Sequence, residues 1–112
     1  MQSWNLSEIE TPGGSRSPVV LFSGEGEARA VLISLDPGQE LGDHQVKERA
    51  FVVVLDGTVE IGDADGERVE AGPGTLATFA PDERHVLASE AGARILLVLA
   101  PWPGEGHYRG ER

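Results

Sequence analysis

The segment Pro37–Gly57 reads PGQELGDHQVKERAFVVVLDG. It opens on a turn at Asp36, Pro37 and Gly38, because proline fixes φ and glycine accepts positive φ. His44 stands early in an extended part. A solid apolar run follows, Phe51 to Leu55, closed by Asp56-Gly57. β-branched residues ahead of Asp-Gly predict a hairpin, since a type I′ turn needs positive φ at both central positions. The segment therefore predicts two strands, Ala50–Leu55 and Thr58–Ile61, paired across a tight turn. A histidine sits on the extended stretch that leads into them.

The same alternation of short apolar runs and turn residues fills the rest of the chain. PVVLF (18–22), Ala28–Leu35, Gln39–Lys47, ERVE (67–70), TLATF (75–79), His85–Ala88 and Ala93–Ala100 read as strands. SGEGE, DADG, AGPG, APDER and Ser89–Gly92 separate them. No window carries a helical period. Strands this short, with turn signals at such close spacing, predict an all-β sandwich or small barrel. Pairing or closing the sheets also removes exposed strand edges. We divide the chain into an N-terminal arm (1–18), a β domain (19–100) and a C-terminal tail (101–112). Trp4 is expected to pack on the domain or on a second subunit.

At 112 residues the chain has the length of one domain. Asp and Glu number 19 against 9 Lys and Arg, a formal charge of -10. The basic residues are spread singly, so there is no basic patch of the kind that phosphate contacts require, and nucleic acid is not an expected partner. Cysteine is absent, which excludes disulfides, thiolate chemistry and Cys-ligated zinc. MQSWNLSEIE lacks a basic region followed by an apolar core, so no signal peptide is expected. The apolar runs are too short to span a bilayer. The expected compartment is the cytoplasm, with no membrane partner.

Three histidines carry the chemistry that the sequence offers: His44, His85 and His107. AGPG before one extended stretch echoes the Asp-Pro-Gly turn before another. Gly, a few residues, a histidine on a strand and then apolar strands thus occur twice. In a fold built of two related halves, His44 and His85 would both project into one interior. Two imidazoles on a rigid wall begin a transition-metal site without completing it, because such sites usually have three protein ligands.

These residues resemble the motifs of the cupin superfamily. The first cupin motif, G-x5-H-x-H-x3-E-x6-G, falls in register from Gly38 through His44 to Gly57. Val46 stands at its second His position and Ala50 at its Glu position. The second motif, G-x5-P-x-G-x2-H-x3-N, begins at Gly74 and reaches His85 in register. Ala80, Asp82 and Ser89 stand at its Pro, Gly and Asn positions, with Pro81 adjacent. The resemblance implies a single jelly-roll β-barrel, commonly a homodimer with sheets pairing across subunits. It also implies a metal held by the four His and Glu positions. Only His44 and His85 remain of those four, since neither valine nor alanine can donate to a metal.

Three functions follow as expectations. The first is a barrel that binds a small molecule in its interior, with His44, Val46, Ala50 and His85 against the ligand. The second is a metal-dependent enzyme, dioxygenase- or isomerase-like, with a rebuilt site for Fe, Zn, Ni or Mn. His44 and His85 would be its ligands. Glu48, which shares strand parity with 44 and 46, and His107 or Glu105 from the tail would be the substitutes. The third is a metal-free acid/base enzyme using His44 or His85. Each feature has a plainer reading beside these. The histidines are remnants inside a barrel without metal. Glu48 and Arg49 are a solvated surface pair rather than a ligand and an anion clamp. The apolar set Val46, Ala50, Val52, Val54, Leu76 and Leu87 is core filling rather than a pocket. Trp102, His107 and Tyr108 are a docking arm rather than a lid.

Overall fold

Valines at alternate positions give β4 (Arg49–Gly57) its inner face: Ala50, Val52 and Val54 are all fully buried. Stiff β-branched side chains pack well on such a pleated, half-buried surface. In the computed structural model, residues 1–11, 18–44 and 46–103 are described, without side chains at 42–44. The remaining strands are β1 (Val19–Ser23), β2 (Glu27–Leu35), β3 (Gln39–His44), β5 (Val59–Gly62), β6 (Arg68–Ala71), β7 (Leu76–Phe79), β8 (His85–Ser89) and β9 (Ala93–Trp102). A five-stranded sheet has the order β1-β2-β9-β4-β7 and a four-stranded sheet the order β3-β8-β5-β6. Every strand pair is antiparallel.

The expected all-β jelly roll is the fold that forms. Its two sheets face each other over one core and share no ladder among the described residues, so it is a sandwich rather than a closed barrel. Val31, Ile33 and Leu35 of β2, Ile95 and Leu99 of β9, Val59 and Ile61 of β5 and Leu87 of β8 complete the core with the β4 residues. No helix among the described residues is long and apolar enough to cross a membrane.

The hairpin expected at Asp56-Gly57 does not form. β4 pairs with β7 and β9, while β5 pairs with β6 and β8, so the chain changes sheets at this point. Gly57 has the positive φ (78°) that its sequence signals, but Asp56 does not, and a type I′ turn needs both. Asp56 Oδ1 instead accepts from the Gly57 N–H at 3.0 Å. A Cβ at Gly57 would come within 2.2 Å of the Gly92 carbonyl oxygen. Gly57 is therefore required by contact as well as by conformation. The turn at Asp63–Gly66 does join a hairpin, β5 to β6.

The apolar run Phe51–Leu55 is continuous because both faces of β4 are covered to some degree. Phe51, Val53 and Leu55 are half-buried on the outer face. Leu76 is corrected from interior to exterior: it pairs with Val53 and is 62% exposed. Arg94, also on the outer face opposite Ser34, donates from Nη2 to the carbonyls of Leu6 (3.0 Å) and Ile9 (2.7 Å). This holds the N-terminal segment, including a single 3-10 turn at Leu6–Glu8, beside the five-stranded sheet. Trp102 is the last residue of β9, buried, with the Arg29 guanidinium carbon 5.1 Å from its ring centroid. It is thus part of a strand and not of a lid.

Candidate functional site at one end of the sandwich

Three connections meet at one end of the sheets: the β3–β4 loop, the β5–β6 turn and the β7–β8 loop. The Asp82 N–H donates to the Val46 carbonyl at 2.7 Å and joins the first to the third. A cavity lined by Asp63, Glu67 and Glu83 joins the second to the third.

The β7–β8 loop is shaped by its turn chemistry. Ala80-Pro81-Asp82-Glu83 closes with the Glu83 N–H on the Ala80 carbonyl at 3.0 Å. Proline takes the second place and Asp82, at φ 64°, the third, as in a type II turn. Asp82 is the one non-glycine residue with positive φ among those described. That third place is where the cupin motif carries glycine, so the backbone keeps the conformation that the motif's glycine would supply. The Glu83 side chain also accepts from the Ala80 N–H at 2.9 Å, which fixes the loop from both sides.

His85 begins β8 directly after this loop and is 4% exposed. Its Nδ1 lies 3.1 Å from the Glu83 carbonyl oxygen. A carbonyl only accepts, so Nδ1 donates, and in the neutral ring Nε2 carries the lone pair. The imidazole is stacked on Phe79, with centroids 4.2 Å apart and planes 14° from parallel. Phe79 is buried and pairs with Ala50 on the inner face of β4.

The other expected site residues are distributed as follows. The register of β3 and β8 sets His44 directly opposite His85, so the two motifs do meet at one point of the four-stranded sheet. The side chain of His44, and the whole of Gln45, Glu105, His107 and Tyr108, lie outside the described residues. Val46 is half-buried and packs against the core. Ala50 is fully buried. Glu48 is 3% exposed while Lys47 and Arg49 on either side are exposed, so the carboxylate is buried as expected, but it lies in the β3–β4 loop and not on the strand of His44, so strand parity is not the cause. The surface-pair reading of Glu48 with Arg49 fails because of this burial. Arg49 instead donates to Thr78 Oγ1 at 3.1 Å, and Thr78 donates to the Ala50 carbonyl. Ser89, at the motif's Asn position, is buried. It donates to the Thr58 carbonyl at 2.8 Å and accepts from the Gly92 N–H at 3.0 Å, tying the β8–β9 turn to the sheet crossover.

Val52, Val54 and Leu87 are at most 1% exposed, so the middle of the sandwich is filled with side chains. Open volume lies at its end. A cavity of about 250 Å³ is walled by Ile61, Val69, Ala77 and Phe79, with Thr78, Asp63, Glu67 and Glu83 completing it. Val69 pairs with Ile61 and so lies on the inner side of β6, yet it is 54% exposed, because the two sheets part here. A larger cleft of about 400 Å³ lies beside Glu60, Glu70 and Glu90. Glu60 and Glu70 pair on the outer side of the four-stranded sheet, away from His85, and this cleft has no part in the site. Sequence reasoning did not single out Phe79, Ile61 or Val69. The signal for Phe79 was available: it is the one large residue at inward parity just ahead of the loop that carries the second motif.

The donor set bears on the metal that the family implies. Val46 and Ala50 remove two of its four ligands. Among the described residues no three His, Asp or Glu side chains are grouped closely enough to hold a metal ion. His85 and Glu48 are two buried donors, and His44 would make a two-histidine, one-carboxylate set, a composition that suits first-row divalent ions.

The family profile described as Cupin domain matches residues 31–99, and the protein belongs to that family. Solved structures share its fold. The protein TT1209 from Thermus thermophilus has a TM-score of 0.78 at 23% identity, covering 92% of this chain and 100% of that one. An RmlC-like cupin protein from Desulfovibrio desulfuricans has a TM-score of 0.74 at 23% identity, covering 90% and 97%. The conserved protein SPY1581 of unknown function from Streptococcus pyogenes has a TM-score of 0.71 at 25% identity, covering 88% and 85%. No curated relative matches the sequence.

Proposed function

We propose that the protein binds a small molecule at the end of the sandwich, in the cavity walled by Ile61, Val69, Ala77 and Phe79. The observation that carries this reading is the placing of Phe79: it forms cavity wall and stacks on a buried, oriented His85. Mostly apolar pockets with a few fixed polar groups are the common form of a ligand site. Ala50, which pairs with Phe79, stands behind this wall, and Val46 packs against the core. A small-molecule screen read by thermal shift tests it. Hits should lose their effect in Val69→Arg, which puts a long side chain and a positive charge into the cavity at an exposed position. Hits that stabilise this variant as much as the parent would sink the reading.

A second reading is favoured by the burial of Glu48. His44, Glu48 and His85 would hold a divalent metal that acts as a Lewis acid or oxygen activator. Elemental analysis of protein purified without chelator tests it. Near-stoichiometric metal that disappears in Glu48→Gln and His85→Ala supports it, and no uptake of any first-row ion contradicts it.

We also infer a homodimer through the outer face of the five-stranded sheet. Leu76, Val53 and Leu96 form a cross-strand row over β7, β4 and β9 on that face, while Leu32, next in the row, is already covered within the chain. Trp4, 42% exposed, and Val20, 47% exposed, add apolar surface on nearby elements. With a net charge of -10, two copies repel unless they meet on a face poor in carboxylates.

A further inference from the structure

We propose that the ligand of the end cavity is a small organic cation, an ammonium group on a compact apolar body. This rests on the cavity being a binding site at all.

The wall has two parts. Ile61, Val69, Ala77 and Phe79 give it an apolar floor, on which Phe79 is backed by the His85 ring. Every charged side chain in it, among the described residues, is a carboxylate: Asp63, Glu67 and Glu83. Two of these carboxylates are anchored. Asp63 Oδ1 accepts from the N–H groups of Asp65 and Glu67, each at 3.0 Å, and Glu83 Oε1 from that of Ala80 at 2.9 Å. Their charges are thus held at the rim by backbone contacts that come from the same loops. A carboxylate or phosphate ligand would meet three like charges. A neutral ligand would gain from the floor alone. An ammonium would gain from both, and the protein's overall charge of -10 raises its local concentration. The volume is below the ~300–1,000 Å³ of pockets for drug-sized ligands, so the body is on the order of one ring.

Three probes with the same ring separate the possibilities: benzylammonium, benzyl alcohol and benzoate. Each is titrated into the isotope-labelled protein and followed by NMR, in the parent and in Glu67→Gln and Glu83→Gln. The amide at 83 keeps an acceptor for the Ala80 N–H, so the loop is preserved while its charge is removed. Benzylammonium should shift Ile61, Val69 and Phe79 and bind most tightly of the three. Each charge removed should weaken it, by up to about fivefold, the range of solvent-exposed ion pairs, and added salt should weaken it further. If benzyl alcohol or benzoate binds there as well as benzylammonium, the cation is overturned while the binding site stands. If benzylammonium shifts only the Glu60–Glu70–Glu90 cleft, or no probe shifts the cavity residues, both the cation and the end-cavity site are overturned.

Discussion

The imidazole of His85 lies flat on the ring of Phe79, centroids 4.2 Å apart, while its Nδ1 reaches back to the Glu83 carbonyl at 3.1 Å. One contact sets the plane of the ring and the other sets its rotation. The histidine is therefore fixed before any ligand arrives, which reduces the ordering cost of binding.

This fixes the tautomer of the neutral ring. Long-range ¹H–¹⁵N spectra should show His85 with the proton on Nδ1 and the lone pair on Nε2. In Phe79→Leu the hydrogen bond should survive while the ring loses its stack. A predominant Nε2–H form in the parent would contradict the hydrogen bond to Glu83.

Asp82 holds a left-handed conformation for which glycine is better suited. Asp82→Gly should leave the fold intact and raise stability by up to about 1 kcal/mol, and Asp82→Val should lower it by about 1–2 kcal/mol. Denaturant midpoints at unchanged slope measure both. A destabilised glycine variant would mean that the Asp82 side chain makes a contact worth more than the strain.

Two glycines with similar φ should behave differently. Gly38, at φ 81°, has open space where a Cβ would go, so Gly38→Ala carries backbone strain alone, about 1–2 kcal/mol. Gly57→Ala adds a collision with the Gly92 carbonyl and should cost more than about 3 kcal/mol or prevent folding. Equal losses at the two sites would contradict the close approach of the sheet crossover to the β8–β9 turn.

Leu76 is the exposed end of the apolar row on the outer sheet face. Leu76→Glu places a charge there without touching the core. Sedimentation velocity should show the parent as a dimer and this variant shifted towards monomer, with the far-UV spectrum unchanged. A monomeric parent at micromolar concentration would remove the dimer.

Much of this was legible in the sequence, and the misses share a cause. Strand positions, the jelly roll and the registers of both motifs could be read because turn residues and period-two patterns are local. Glu48 is buried although it lies in the loop between β3 and β4, where strand parity with His44 does not apply. Asp56-Gly57 misled because the same dipeptide serves a hairpin or a change of sheets, and only the partners of β4 and β5 decide between them. Leu76 misled because β4 and β7 carry apolar residues on both faces, so hydrophobicity no longer tells inside from outside. The cavity was beyond reach because it arises where β6 and β7 part, which is a property of two sheets and of no single segment.

The most direct test of the binding site is where ligands land. A fragment library is titrated into the isotope-labelled protein, and the shifts are mapped residue by residue. We predict that binders perturb Ile61, Val69, Ala77 and Phe79 first, with His85 following through the stack. Binders that leave these residues still and perturb the outer cleft at Glu60, Glu70 and Glu90 would contradict the account.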